Sequence, residues 1–143
     1  MAVGGALRRL VGKCLASKVA KEAEAFLLPH QFGVGIRGGC EAVVHATRAT
    51  LNDASLPEEE RWTLLVDFEN GFNMGDKGKI LSDVREHFSQ LYPWVKICYG
   101  ESSHLTFGDS NISSEAGVQQ GDPLRPILFS LLLQPALKEL KGI

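Results

Sequence analysis

The sequence predicts an α+β fold that is mostly helical and contains one short antiparallel sheet or hairpin. In four stretches, apolar residues recur three and four positions apart, which is the pattern of amphipathic helices. Two alternating segments, 104–107 and 111–114, flank a Gly-Asp-Ser turn and predict a β-hairpin. An apolar run at 62–66, bounded by turn formers and without helical period, predicts a buried strand with Asp67 at its C-terminal end.

The first two predicted helices occupy the N-terminal third of the chain. The first runs from Ala6 to Leu28 and stops at Pro29, because proline cannot continue a helix. The second runs from Glu41 to Leu51. Its small apolar face comprises Ala42, Val43, Ala46 and Ala49.

The other two predicted helices follow the apolar run. One begins at Asp76 and is ended or kinked by Pro93, with a buried stripe of Ile80, Leu81, Val84, Phe88 and Leu91. The last begins after Asp122, with Pro123 in its first turn, where the missing N–H costs nothing.

Length and composition describe one ordinary globular domain. The chain has 143 residues, of which 44% are hydrophobic. Its longest apolar run, Ile127 to Leu133, is shorter than the roughly 20 residues that a bilayer requires. No secretory signal is recognised, and the three cysteines lack a CxxC pair. We therefore expect buried, reduced thiols in an intracellular protein.

Charge is distributed unevenly along the chain. Residues 1–52 contain seven Lys and Arg residues against three acids, although the whole chain has a net charge of −2. An N-terminal segment with excess positive charge is suited to contact with phosphates. Ordinary solvated helix faces explain the same pattern.

Asp67 has two interpretations from the residues alone. A carboxylate beside an apolar run needs a partner, water or a metal. It is either a turn or helix-capping aspartate at the strand exit, or a metal-binding carboxylate at a strand end. The residues by themselves leave both open.

The stretch GVQQGDPLRPILF, from Gly117 to Phe129, resembles the GxxQGxPLxPxLF segment of reverse transcriptases, especially those of non-LTR (LINE-like) retrotransposons. The earlier stretch VDFENGFN resembles the strand and turn that carry the first catalytic aspartate of that family. The flanking stretches AVGGALRRLVGKCL, LLPHQFGVGIRGGCEAVVHATR and CYGESSHLTFGDSNISSEAGV also resemble it, so the resemblance covers nearly the whole chain.

The resemblance implies a partial right-hand polymerase fold in a single domain. Residues 1–60 would be fingers-like and residues 61–143 palm-like. Asp67 would be the catalytic carboxylate and would bind Mg²⁺ or Mn²⁺ together with the backbone carbonyl of Phe68.

The resemblance also assigns residues to the substrates, an RNA template and a DNA primer. Phe72 would lie under the nucleotide sugar, although a plain core aromatic is the alternative. Contacts to the template and the nascent base pair would come from Gln120, Gly121 and Pro123. Phosphates would be held by the N-terminal residues Arg8, Arg9 and Lys13, for which helix solubility is the competing explanation.

The sequence also departs from the family pattern. The family completes its metal site with an aromatic-x-Asp-Asp turn, and the sequence contains no Asp-Asp pair. Arg125 stands at a position that is commonly small, and Gly71 replaces a commoner alanine. We therefore expect a reverse transcriptase fragment that is inactive as an isolated chain and does not hold the metal alone. The alternative is a non-catalytic nucleic-acid or protein interaction module. We expect no membrane association, and self-association through an unpaired palm strand.

Overall fold

The computed structural model describes the backbone of residues 5–140, and the side chains of these residues except 103–107 and 112. This part of the chain is mostly helical with two short strands, in agreement with the predicted helical α+β class. The elements in chain order are α1 (Ala6–Leu27), α2 (Gly39–Leu51), a 3₁₀ turn (Glu58–Glu60), α3 (Gly71–Met74), α4 (Lys77–His87), α5 (Tyr92–Tyr99), β1 (Ser103–Phe107), β2 (Ser110–Ser114) and α6 (Arg125–Glu139).

The hydrophobic core lies where α1, α4, α5 and α6 pack together. Each helix contributes residues three or four positions apart, so one stripe of each helix faces the others. Burial of each large aliphatic side chain contributes about 1.5–3 kcal/mol. The fully buried aliphatic side chains are Val19, Ala23, Ile80, Val84, Leu91, Val95, Leu124 and Leu128.

Helices α4 and α5 follow from local sequence signals. Helix α4 begins at Lys77, one residue after the predicted start at Asp76, and the Asp76 side chain caps it by accepting a hydrogen bond of 2.7 Å from the backbone N–H of Lys79. The prediction that Pro93 ends or kinks the helix that begins near Asp76 is wrong, because α4 already ends at His87. Pro93 instead lies in the first turn of α5, where a proline sacrifices no intrahelical bond.

Helix α6 begins later than the sequence predicts. Its first residue is Arg125, and Pro123 belongs to the preceding turn. The Asp122 carboxylate accepts a bond of 2.9 Å from the backbone N–H of Leu124, which holds this turn in place before the helix starts. Pro126 takes the first-turn position instead.

The predicted hairpin is confirmed. Strands β1 and β2 pair antiparallel, with Ser103 opposite Ser114 and Phe107 opposite Ser110. Gly108 has a φ of 59°, which suits a tight hairpin turn.

The predicted buried strand at 62–68 is wrong. These residues have no assigned strand or helix, and all of them are exposed. A strand needs a neighbour to satisfy its backbone N–H and C=O groups. In the described part of the chain the only sheet is the β1–β2 pair, so this run has no strand beside it.

Two predicted apolar faces are less buried than expected, one of them in part and the other not at all. In α1 the stripe is buried at Val19 and Ala23, but Leu7 and Leu10 are exposed. The small face predicted for α2 is exposed throughout. The exposed parts of both faces lie outside the four-helix core, where no described element covers them.

The prediction of buried cysteines is wrong for two of the three. Cys14 and Cys40 are exposed, and Cys98 is half-buried. Burial raises the pKa of the Cys98 thiol. No helix within residues 5–140 is long and apolar enough to cross a membrane.

Candidate functional site

The structure brings the two motif stretches into direct contact. The backbone N–H of Gly117 donates to the carbonyl of Gly75 over 2.7 Å, and the N–H of Val118 donates to the carbonyl of Phe72 over 2.8 Å. Gly117 has a φ of 80°, and a Cβ there would overlap the carbonyl of Asn73. The position therefore requires glycine. The start of the GVQQ segment thus packs against the turn that follows Asp67.

The Phe72 ring contacts two side chains of α6. The Phe129 ring is 4.4 Å from it, centroid to centroid, and the Arg125 guanidinium carbon is 4.0 Å from its centroid. Arg125 and Phe129 are four residues apart and hence neighbours on the helix surface. Phe72 nevertheless remains 37% exposed.

Phe68 extends this aromatic cluster. Its ring meets Phe129 edge-on, with 6.4 Å between the centroids. Gly71 lies between them, and a Cβ at that position would be 2.9 Å from Phe68 Cβ and 3.0 Å from Phe129 Cζ. The glycine that replaces the commoner alanine therefore permits this close packing.

Asp67 is exposed next to this cluster. Among the described residues it has no hydrogen-bond or ion-pair partner. The carbonyl of Phe68 accepts a hydrogen bond of 3.3 Å from the N–H of Gly71. No cluster of three or more potential ligands of the His, Cys, Asp or Glu type occurs in the described part of the chain.

Mg²⁺ takes six oxygen ligands in near-octahedral geometry, and proteins usually supply only one or two carboxylates, with water and substrate phosphates filling the other positions. Asp67 and Phe68 offer one carboxylate and one carbonyl that already accepts a hydrogen bond. The assignment of Mg²⁺ or Mn²⁺ to these groups stays a prediction.

Asp122 forms a buried polar centre behind the glutamine motif. Its carboxylate accepts a hydrogen bond of 2.6 Å from the Tyr99 hydroxyl and forms an ion pair of 3.3 Å with Arg8. The Arg8 guanidinium also lies over the Tyr99 ring, 4.9 Å from its centroid. One carboxylate thus connects α1, α5 and the turn before α6.

The electrostatics of this centre follow from burial. Burial, followed by the hydrogen bond to the Asp122 carboxylate, raises the pKa of Tyr99 above its ordinary value. Burial on its own would lower the pKa of Arg8, but its interactions with Tyr99, Cys98 and Asp122 raise it. The tyrosine is therefore held neutral and the arginine charged.

The predicted template-contacting residues lie on the outer side of this centre. Gln120 and Gly121 are exposed, and Gly121 has a φ of 81°. Pro123 packs against Gly12 of α1, where a Cβ would be 3.2 Å from the proline Cδ. The neighbouring Gln119 donates its N–H to the Tyr99 hydroxyl over 3.3 Å. The loop is thus fixed on its inner side and open on its outer side.

The three predicted phosphate-binding residues differ in their surroundings. Arg9 and Lys13 are exposed on α1. Arg8 is half-buried and paired with Asp122. Arg9 and Lys13 are therefore free to meet phosphates, and Arg8 has a partner within the fold.

Sequence reasoning missed the roles of Asp122, Tyr99 and Arg125. Asp122 was expected only to precede a helix, and nothing near Tyr99 in the sequence indicates a partner 23 residues away. Arg125 did leave a signal, because a long basic residue stands where a small one is common. Its stacking on Phe72 depends on the tertiary fold.

Comparisons of this chain with protein-family models, with curated proteins and with solved structures find no match.

Proposed function

We propose that this chain forms the fingers and the first part of the palm of a non-LTR-type reverse transcriptase, which synthesises DNA on an RNA template. The observation that carries the proposal is the contact between the two motif stretches. Their similarity to the family lies in sequence segments more than 40 residues apart, and the segments meet through Gly117, Val118 and Phe72. This contact places residues of both motif stretches beside each other, and it supports their serving one common site.

In this proposal the described side chains bind and position nucleic acid. Arg9 and Lys13 contact backbone phosphates, and the open side of the Gln120–Gly121 loop faces the template. Asp67 contributes a single carboxylate to nucleotidyl transfer. Because a two-metal mechanism needs more carboxylates than this, the isolated chain is catalytically incomplete.

Primer extension tests the catalytic part of the proposal. We expect the purified chain to extend no DNA primer on an RNA template with Mg²⁺ or Mn²⁺. Incorporation above background that Asp67→Asn abolishes would contradict the expected inactivity, and it would show that Asp67 is necessary for the reaction.

Primer–template binding tests the nucleic-acid part. Fluorescence anisotropy should show weak binding that falls steeply with salt, because phosphate contacts release counterions. Each phosphate contact contributes a slope of roughly 0.7–0.9 in log affinity against log salt. The double variant Arg9→Gln/Lys13→Gln should therefore lower the slope by up to about 2.

The matched control is Lys18→Gln/Lys21→Gln, which removes the same charge from exposed positions further along α1. It should change the slope less. Equal losses in both double variants, or binding that does not depend on salt, would contradict the proposed contact. No binding by the wild-type chain would overturn the proposed function.

The alternative is a non-catalytic interaction module, and one observation favours it. The exposed apolar residues at 62–68 offer a surface for another polypeptide. Salt-independent protein association without primer–template binding would select this alternative.

A further inference from the structure

Residues Trp62 to Asp67 form an exposed, mostly apolar segment with unpaired backbone, and Arg61 and Phe68 flank it. The exposed fraction is 65% for Leu64, 90% for Leu65 and 62% for Val66. Within the described part of the chain, the backbone groups of residues 62–67 make no hydrogen bond. Such a segment is a template for strand pairing.

The two ends of this segment carry opposite charges. Arg61 lies at its start and Asp67 near its end, six positions later. The Nε of Arg61 is buried and has no hydrogen-bond partner, and Asp67 has no described partner. An antiparallel copy of the same segment would bring an Asp67 to each Arg61.

We propose that two copies of this chain associate through antiparallel pairing of Arg61–Asp67, centred on Leu64. In this register Leu64 faces Leu64 of the second copy, and Trp62 faces Val66. Arg61 faces Asp67 at both ends. Opposite charges directly across a strand pair stabilise it. This inference shares only Asp67 with the proposed function and does not depend on its being catalytic.

The pattern of side chains selects this register. In a strand, Trp62, Leu64 and Val66 share one face, and the Leu64-centred register places this face against itself. A shift by one residue would place Trp62 opposite Asp67 and so mix the two faces. A shift by two would separate Arg61 from Asp67, because Arg61 would then face Leu65 in one direction or Glu69, which lies in a turn, in the other.

Sedimentation velocity over a wide concentration range provides the test. A two-stranded pairing is marginal by itself, so a weak, concentration-dependent dimer is expected. Arg61→Glu and Asp67→Arg each create two like-charge pairs, and each should weaken the dimer about tenfold. The double variant Arg61→Glu/Asp67→Arg restores opposite charges and should return affinity to within about threefold of wild type.

Arg48→Glu is the matched control, since it reverses an exposed arginine on α2. It should leave the dimer unchanged. A wild-type chain that stays monomeric at every concentration would overturn the proposal. So would a double variant that is weaker than both single variants, because no charge pairing would then exist. Far-UV circular dichroism verifies that each variant stays folded.

Cysteine cross-linking tests the register itself. In a background where Cys14, Cys40 and Cys98 are replaced by alanine, Leu64→Cys should form a disulfide dimer under mild oxidation. Trp62→Cys should not, since its two copies would lie four residues apart along the strands, about 13 Å. Equal cross-linking at both positions, or none at Leu64→Cys, would overturn the Leu64-centred pairing.

Discussion

Helix α6 and the segment 62–68 are both rich in apolar residues, yet one is buried and the other is exposed. In α6, Leu128 is fully buried and Leu131 is 2% exposed, whereas Leu65 is 90% exposed. The helix satisfies its own backbone groups and needs only a surface to pack against. An extended run also needs a neighbouring strand for its backbone. Hydrophobicity therefore does not bury a segment unless its backbone groups also find partners.

The largest difference between the two regions is expected when one leucine in each is truncated to alanine. Leu128→Ala should lower the free energy of unfolding by about 2–5 kcal/mol, because it leaves a cavity in the core. Leu65→Ala should change it by less than about 0.5 kcal/mol in dilute protein. Urea denaturation measures both. Similar losses in the two variants would show that 62–68 packs against the core in solution.

A second prediction concerns the polar centre that joins the packed helices. Asp122→Ala should destabilise the chain by about 2–3 kcal/mol, because it leaves the Tyr99 hydroxyl and the half-buried Arg8 without their partner. Asp109→Ala, in the exposed hairpin turn, is the control. Equal urea midpoints for the two variants would contradict this role for Asp122.

The third prediction is a pH dependence from Tyr99. Its raised pKa means that the unfolded chain loses this proton first, so this contribution to stability is complete below pH 10 and falls above it. The slope is about 1.4 kcal/mol per pH unit. Tyr99→Phe should cost about 1–2 kcal/mol at neutral pH and remove that slope.

Tyr92→Phe is the control for this experiment, since Tyr92 packs beside Arg85 and not against Asp122. Urea midpoints at about pH 8, 10 and 11 give the comparison. An alkaline slope that persists unchanged in Tyr99→Phe would assign it to other groups.

The smallest expected effect is at the junction of the two regions. Arg125→Ala removes the cation from the Phe72 face and should cost about 0.5–1 kcal/mol. It should also make Phe72 more accessible. Near-ultraviolet circular dichroism can follow the aromatic cluster, with Arg48→Ala as the control. An identical aromatic signal in Arg125→Ala would show that the stack is absent in solution.

The sequence predicts most helices and the hairpin because their signals are local. Apolar spacing predicts α1 and α2 within two residues, and Asp76 predicts the start of α4. The strand at 62–68 could not be predicted correctly, since strand formation depends on a partner elsewhere in the chain.

The candidate site likewise combines features that local sequence predicts with contacts that it does not predict. The similarity of motifs identifies Phe72 and the glutamine loop, and the structure brings their segments together. The Asp122 centre depends on residues separated by 114 and 23 positions, Arg8 and Tyr99. No local pattern encodes contacts of that kind.

The contact between Gln134 and the end of α1 has a consequence for folding during synthesis. The Gln134 side chain donates to the carbonyl of Phe26 over 2.9 Å, and it accepts a bond of 2.7 Å from Gln31. Carbonyls at a helix end need partners from outside the helix. This partner is 108 residues later in the chain. At a synthesis rate of roughly 5–20 residues per second, the ribosome therefore adds Gln134 several seconds after α1. The hydrogen bond to the Phe26 carbonyl cannot form before then.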